Sequence, residues 1–172
     1  MAKPNYIMVA AVSIDGFIAP AGKQGSSWTS PEDKQFLHQI LDTADVVIVG
    51  NTTYKIAKEP LSKRNCIILT KKVKDTKQPN KLSVYLNPKN VDLKTFIEQK
   101  KYRRVVVLGG AQAYSYCLEQ KMVNEIYLTV EPVVFGRGLP LFRTKSLEIS
   151  NWKVGAIEKL NKKGSILIHY KT

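Results

Sequence analysis

An α/β domain with a mixed, mostly parallel sheet is the fold class this sequence predicts, and three observations predict it. Short apolar runs alternate with helical patterns, several of those runs are apolar at every position, and the C-terminal segment turns to a hairpin pattern. Strand, helix, strand in that order implies parallel pairing through crossovers. Uninterrupted apolar runs are what strands covered on both faces look like.

The runs of strand length fall at 6–12 (YIMVAAV), 46–50 (VVIVG), 66–70 (CIILT), 83–86 (SVYL), 105–108 (VVVL) and 126–135 (IYLTVEPVVF). A helix is expected over 31–43, with Phe36, Leu37, Ile40 and Leu41 on one face. Its start is well specified: Ser30 stands as N-cap, Pro31 takes the first helical position, and Asp33 lies three residues after the cap. Further helices are expected near 92–101, with Leu93, Phe96 and Ile97, and over 112–122. Segments WKVGAIEKL and SILIHYK flank NKKG and read as a hairpin adding antiparallel strands at the end of the sheet. The longest Pro/Gly/Ser-rich piece, APAGKQGSSW at 19–28, is a loop rather than a boundary, so one domain is expected over 1–172.

Bulk properties narrow the function classes. The 44% hydrophobic and 24% charged content is ordinary for a globular protein. No stretch approaches the roughly 18 to 20 apolar residues of a membrane span, and the N-terminus lacks a signal-peptide cleavage pattern. A cytoplasmic protein with no membrane partner is expected. Cys66 and Cys117 each sit in an apolar pattern and read as reduced core cysteines. The net charge of +13 favours anionic partners, either nucleic acid or small molecules carrying several phosphates. Its lysines and arginines cluster at 71–77, 98–104 and 159–164, in loops or element ends, without an RNA-stacking signature, zinc-finger spacing or a long basic helix. A small-molecule partner is therefore favoured, and a basic nucleic-acid-binding module is the rival.

In a sheet of this kind ligands bind beyond the carboxyl ends of the strands. The segments just after each run are SIDGFIA, GNTTY, TKK, GGAQAY and GRGLPLF. Gly109 and Gly110 end a buried strand and lead into a helix, where backbone amides and the helix dipole favour a negative group. Thr52 and Thr53 are phosphate donors or helix caps; Lys71 and Lys72 are phosphate partners or a solvated turn. Asp33 is a capping-box residue or a carboxyl facing the crevice, with Glu32 its competitor. His38 and His169 have no nucleophile elbow and no metal-ligand spacing, so hydrolase and zinc readings fall away.

Taken together, VSIDGFIA, ADVVIVGNTTY, CIILTKK, VVVLGGAQAY and VNEIYLTVEPVVFGRGLPLF resemble the ordered motifs of the dihydrofolate-reductase-like superfamily, closest to the riboflavin-biosynthesis reductase (RibD C-terminal) family. The resemblance spans nearly the whole chain. It implies a three-layer fold and an NADPH-dependent reductase that delivers a hydride to a heterocyclic substrate, a pyrimidine or a pteridine relative. It also implies site residues. Ala11 would offer backbone groups to the nicotinamide, while Ser13, Asp15 and Gly16 would shape the loop over the site. Gly50, Asn51, Thr52 and Thr53 would hold cofactor phosphates, with Thr70, Lys71 and Lys72 near the 2'-phosphate. Gly109, Gly110, Ala111 and Gln112 would cradle the pyrophosphate, the two glycines joined by a cis peptide. Trp28 and Asp33 fall where dihydrofolate reductases place an active-site tryptophan and the carboxylate that binds the pteridine. Ser13, Asp15 and Glu32 are further substrate-side candidates, and no metal is implied. Asn51 stands where many dihydrofolate reductases have an arginine. Dihydrofolate reductase proper is the alternative enzyme, and a homodimer would match the habit of the riboflavin branch.

Overall fold

The computed structural model describes residues 2–23, 25–144 and 148–172. Gln24, inside the loop expected at 19–28, lies outside the described residues, as do 145–147. The chain runs β1 (Asn5–Val12), β2 (Phe17–Pro20), α1 (Pro31–Asp42), β3 (Val46–Gly50), α2 (Asn51–Ile56), α3 (Lys58–Leu61), β4 (Cys66–Leu69) and β5 (Thr76–Lys77). It continues through β6 (Ser83–Leu86), α4 (Leu93–Gln99), β7 (Arg104–Gly109), α5 (Ala111–Glu119), β8 (Glu125–Val130), β9 (Gly138–Pro140), β10 (Lys153–Lys159) and β11 (Ile166–Lys171).

A nine-stranded sheet has the order β10-β11-β8-β1-β7-β3-β4-β6-β5. Its middle, from β8 to β6, is parallel. The hairpin of β10 and β11 adds antiparallel strands beside β8, as expected. The apolar runs are continuous because both faces are covered. In β3, Val46 and Ile48 join one core with Leu93 and Ile97 of α4 and Cys117 of α5. Val47 and Val49 join the other, with Ile40 and Leu41 of α1, Tyr54 of α2 and Leu61 of α3. Alternation along a strand thus feeds two cores from one apolar run, giving three layers. Cys66 and Cys117 are free and buried, and desolvation pushes their thiols up to about 11 and about 12.

The element ends differ from expectation for local reasons. The strand expected over 126–135 stops at Val130, since Pro132 has no amide hydrogen to continue a ladder. The helix expected to 122 ends at Glu119, and Lys121 then takes a left-handed φ of 51°. The helix expected over 92–101 is Leu93–Gln99, with Asp92 as N-cap and Lys101 left-handed. A second, two-stranded sheet pairs β2 with β9, where only loops were expected. Among the described residues, no helix is long and apolar enough to cross a membrane, and no group of three or more His, Cys, Asp or Glu could hold a metal.

Candidate active site

The carboxyl ends of β1, β3, β4 and β7 open into a cleft of about 1250 Å³. The strand ends and the turns after them line it. Ala11, Trp28, Asp33, Gly50, Asn51, Thr52, Thr53, Thr70, Lys71, Lys72, Gly110, Ala111 and Gln112 all border this space. Ser13, Asp15, Gly16, Glu32 and Gly109 do not.

The diglycine is explained by crowding around it. Gly109 has φ of 115°, and a Cβ there would lie 2.8 Å from Cζ of Tyr114. A Cβ on Gly110 would lie 3.1 Å from Oγ1 of Thr53 in α2, a tight contact that would push the two walls of the cleft apart. The two glycines are joined by a cis peptide. Tyr114, one turn into α5, anchors the arrangement: its hydroxyl lies 2.6 Å from the Val9 carbonyl and 2.7 Å from that of Leu108. Gly110 caps α5 without a side-chain hydrogen bond, leaving the first amides of the helix open toward the cleft.

On the opposing wall, Gly50 is the N-cap of α2 and makes no side-chain bond, which places Thr52 and Thr53 inside the helix. They are therefore cleft-lining residues and not caps. At the far end the Thr70 hydroxyl accepts the Lys72 amide at 3.1 Å, closing the turn that carries both lysines.

The other end of the cleft holds Asp33. The Ser30 hydroxyl accepts the Asp33 amide at 3.2 Å, so the helix cap also fixes this residue. The reciprocal half of the expected capping box is not made by Asp33: the Ser30 amide donates to Glu131 instead, which leaves the Asp33 carboxyl free of the cap and bordering the cleft. The residue is 7% exposed, and desolvation raises its carboxyl above the ordinary aspartate value, opposed by hydrogen bonds from Thr129 and Thr29. The negative charge of Glu131 adds to the rise. Leu37, Ile56 and Pro60 supply an apolar wall. Trp28 sits edge-on to Phe135, with ring centroids 4.9 Å apart, and its Nε1 is buried without a partner among the described residues.

The residues outside the cleft have other work. Ser13 accepts the Phe17 amide at 3.0 Å, and Gly16, at φ of 85°, completes the turn between β1 and β2. The Asp15 carboxylate accepts the amides of Phe135 and Gly136, clasping that turn to the 133–136 loop. The Ser13 hydroxyl, with those amides, holds the Asp15 carboxyl below its usual value. Glu32 faces away, accepting from Asn161 at 3.2 Å, so of the two neighbouring carboxylates Asp33 borders the cleft. Ser13, Asp15 and Glu32, expected on the substrate side, thus stand outside the lining of the cleft. Gly109 does not line the cleft, and its neighbour across the cis peptide, Gly110, does.

Sequence reasoning missed Thr29, Thr129 and Glu131. Alternation along β8 puts Tyr127 and Thr129 on the face toward α1, and Ala11 is the register partner of Thr129. That alternation was the available signal.

The family model for dihydrofolate reductase matches residues 6–145. The uncharacterized protein YwjB of Bacillus subtilis (strain 168) is 28% identical over 145 residues, covering 79% of this chain and 81% of the relative. A pyrimidine reductase-like protein from Corynebacterium diphtheriae has TM-score 0.79 at 16% identity, covering 98% of this chain and 91% of that one. The diaminohydroxyphosphoribosylaminopyrimidine deaminase/5-amino-6-(5-phosphoribosylamino)uracil reductase of Thermotoga maritima has TM-score 0.75 at 18% identity, covering 98% of this chain and 56% of that one. The match over 6–145 takes in every strand end that forms the cleft: this chain belongs to the dihydrofolate reductase family.

Proposed function

We propose that this chain is an NADPH-dependent reductase of the riboflavin-biosynthesis type, transferring a hydride to a pyrimidine or pteridine-related substrate such as a phosphoribosylaminouracil. One observation carries the reading: a single cleft joins open backbone amides at the start of α5 to a buried carboxyl on α1. A dinucleotide needs an anion-holding segment midway and a pocket at each end, and the residues present fit that need. Gly110, Ala111 and Gln112 meet the pyrophosphate from one side, and Asn51, Thr52 and Thr53 from the other. Lys71 and Lys72 take the 2'-phosphate in place of the arginine that Asn51 replaces. When bound, the reduced nicotinamide supplies the hydride.

The protein's part is to orient and to handle a proton. Ala11 would offer its main chain to the nicotinamide, and the buried Asp33 would hold a hydrogen bond or a proton at a ring nitrogen of the heterocycle. Trp28, whose indole N–H has no partner among the described residues, would offer it to the same ligand. Ser13, Asp15 and Gly16 act at one remove, by fixing the turn that borders the site.

Dihydrofolate reductase proper is the second reading, and the buried Asp33 beside Trp28 favours it. Consumption of NADPH with 5-amino-6-(5-phosphoribosylamino)uracil, run beside dihydrofolate, separates the two. Turnover with the uracil supports the first reading, turnover with dihydrofolate alone replaces it with the second, and silence with both overturns both. A homodimer belongs to the first reading and is checked by sedimentation. Binding of duplex or single-stranded DNA that NADPH does not displace would instead favour a nucleic-acid partner.

A further inference from the structure

Glu131 is the second buried carboxylate among the described residues, 3% exposed, and it does not border the cleft. It follows β8 directly and sits between two parts of the fold that are far apart in sequence. On one side its Oε1 accepts the Ser30 amide at 2.8 Å and the Ser30 hydroxyl at 2.7 Å. On the other its Oε2 accepts the Ser165 hydroxyl. Ser165 lies at the end of the β10–β11 turn and accepts from Nδ2 of Asn161 at 2.9 Å. The Asn161 Oδ1 in turn accepts the amides of Gly164 at 3.0 Å and Ser165 at 3.2 Å.

The Ser30 hydroxyl has one proton, and donating it to Glu131 turns its lone pairs toward the Asp33 amide, which it accepts. A continuous hydrogen-bonded chain therefore runs from the C-terminal hairpin through Glu131 to the residue at the heterocycle end of the cleft. Burying a carboxylate is costly unless its lone pairs are filled, and here three donors fill them. A neutral serine cap would start α1 equally well without it. What the carboxylate adds is a fixed hydroxyl orientation and a negative charge beside Asp33.

We propose that Glu131 is a positioning residue for Asp33, anchored by Ser165 of the C-terminal hairpin and acting through the Ser30 cap. Its role in turnover rests on the assignment of Asp33 to the substrate end of the cleft; its effect on Asp33 itself does not. The other titratable groups that act on or are acted on by Asp33 are Lys34 on α1 and Tyr114 on α5, and Thr29 and Thr129 donate hydrogen bonds to it. Among these, Glu131 supplies the negative charge that favours the protonated carboxyl.

The test uses the full chain without added ligand. Carboxyl-carbon NMR follows the titration of Asp33, assigned with Asp33→Asn, in wild type and Glu131→Gln. The glutamine keeps an acceptor for Ser30 and removes the charge, while its NH2 obliges the Ser165 hydroxyl to turn from donating to accepting. A downward shift of the Asp33 midpoint is expected, with amide exchange at Ser30 and Asp33 unchanged. An unmoved midpoint overturns the proposal. Glu131→Ala and Ser165→Ala break the chain at its middle and at its hairpin end. Each is expected to speed exchange at the Ser30 and Asp33 amides by about tenfold, the weight of one lost hydrogen bond. If Glu131→Ala does not fold, Ser165→Ala decides, and unchanged exchange in it overturns the hairpin's part. Where turnover is found, the pH profile of Glu131→Gln shifts in the same direction as the NMR midpoint. If no substrate turns over, the reductase reading falls while the NMR and exchange results still judge Glu131.

Discussion

Asp33 shows how one residue joins fold and site, the first through its backbone and the second through its side chain. Its amide is held by the helix cap, while its carboxyl is buried at the cleft. The folded-state pKa is raised above the unfolded value, so the native state binds more protons between the two, and stability falls as pH rises through that window. Asp33→Asn removes this cost. At neutral pH the variant is expected to be more stable by about 1 kcal/mol, a gain that fades as pH falls below the unfolded value, and to lose turnover. Equal denaturation midpoints for the two proteins at neutral pH would contradict this. The diglycine carries the opposite burden: Gly109→Ala meets both a positive φ and the Tyr114 ring, and is expected to cost about 2 to 4 kcal/mol. The glycines, the lysines and Asp33 were legible because backbone freedom, charge and capping leave marks in a local string. Glu131 was not, since its donors, Ser30 and Ser165, lie 101 and 34 residues away.

The strands and helices were legible to the degree that their patterns are local. β3, β6 and α1 follow from apolar runs and a strong N-cap signal almost residue for residue. The pairing of β2 with β9 was not, because neither strand has a period long enough to read, and only the meeting of distant loops creates it. The same meeting puts Asp15 on the 133–136 loop, which no spacing along the chain announces. Between elements, Tyr114 ties α5 to β1 and β7 through its hydroxyl, pushed well above the ordinary phenol range by desolvation. Tyr114→Phe removes the single hydroxyl proton that the two carbonyls share and is expected to cost about 1 to 3 kcal/mol. A chemical denaturation curve reads it as a lower midpoint at unchanged slope; no loss of stability would show that the contact carries no net energy.

Across the molecule, the parallel middle of the sheet gathers four strand ends into one cleft, and a chain of charge +13 surrounds it. Such a field draws anions and strains the compact state through self-repulsion. Moderate salt is expected to raise the thermal midpoint while slowing association with a multiply charged coenzyme, since screening weakens both effects. A thermal melt and a stopped-flow series across salt concentrations check the two halves. The central claim, that the open amides of α5 and the Asn51–Thr53 wall grip a pyridine dinucleotide, is tested most directly by isothermal titration of the full chain with NADPH. Saturable one-to-one binding, weakened at least tenfold by Gly110→Ala, is the predicted result. No saturable binding to the wild-type chain, or equal affinity in the variant, would contradict it.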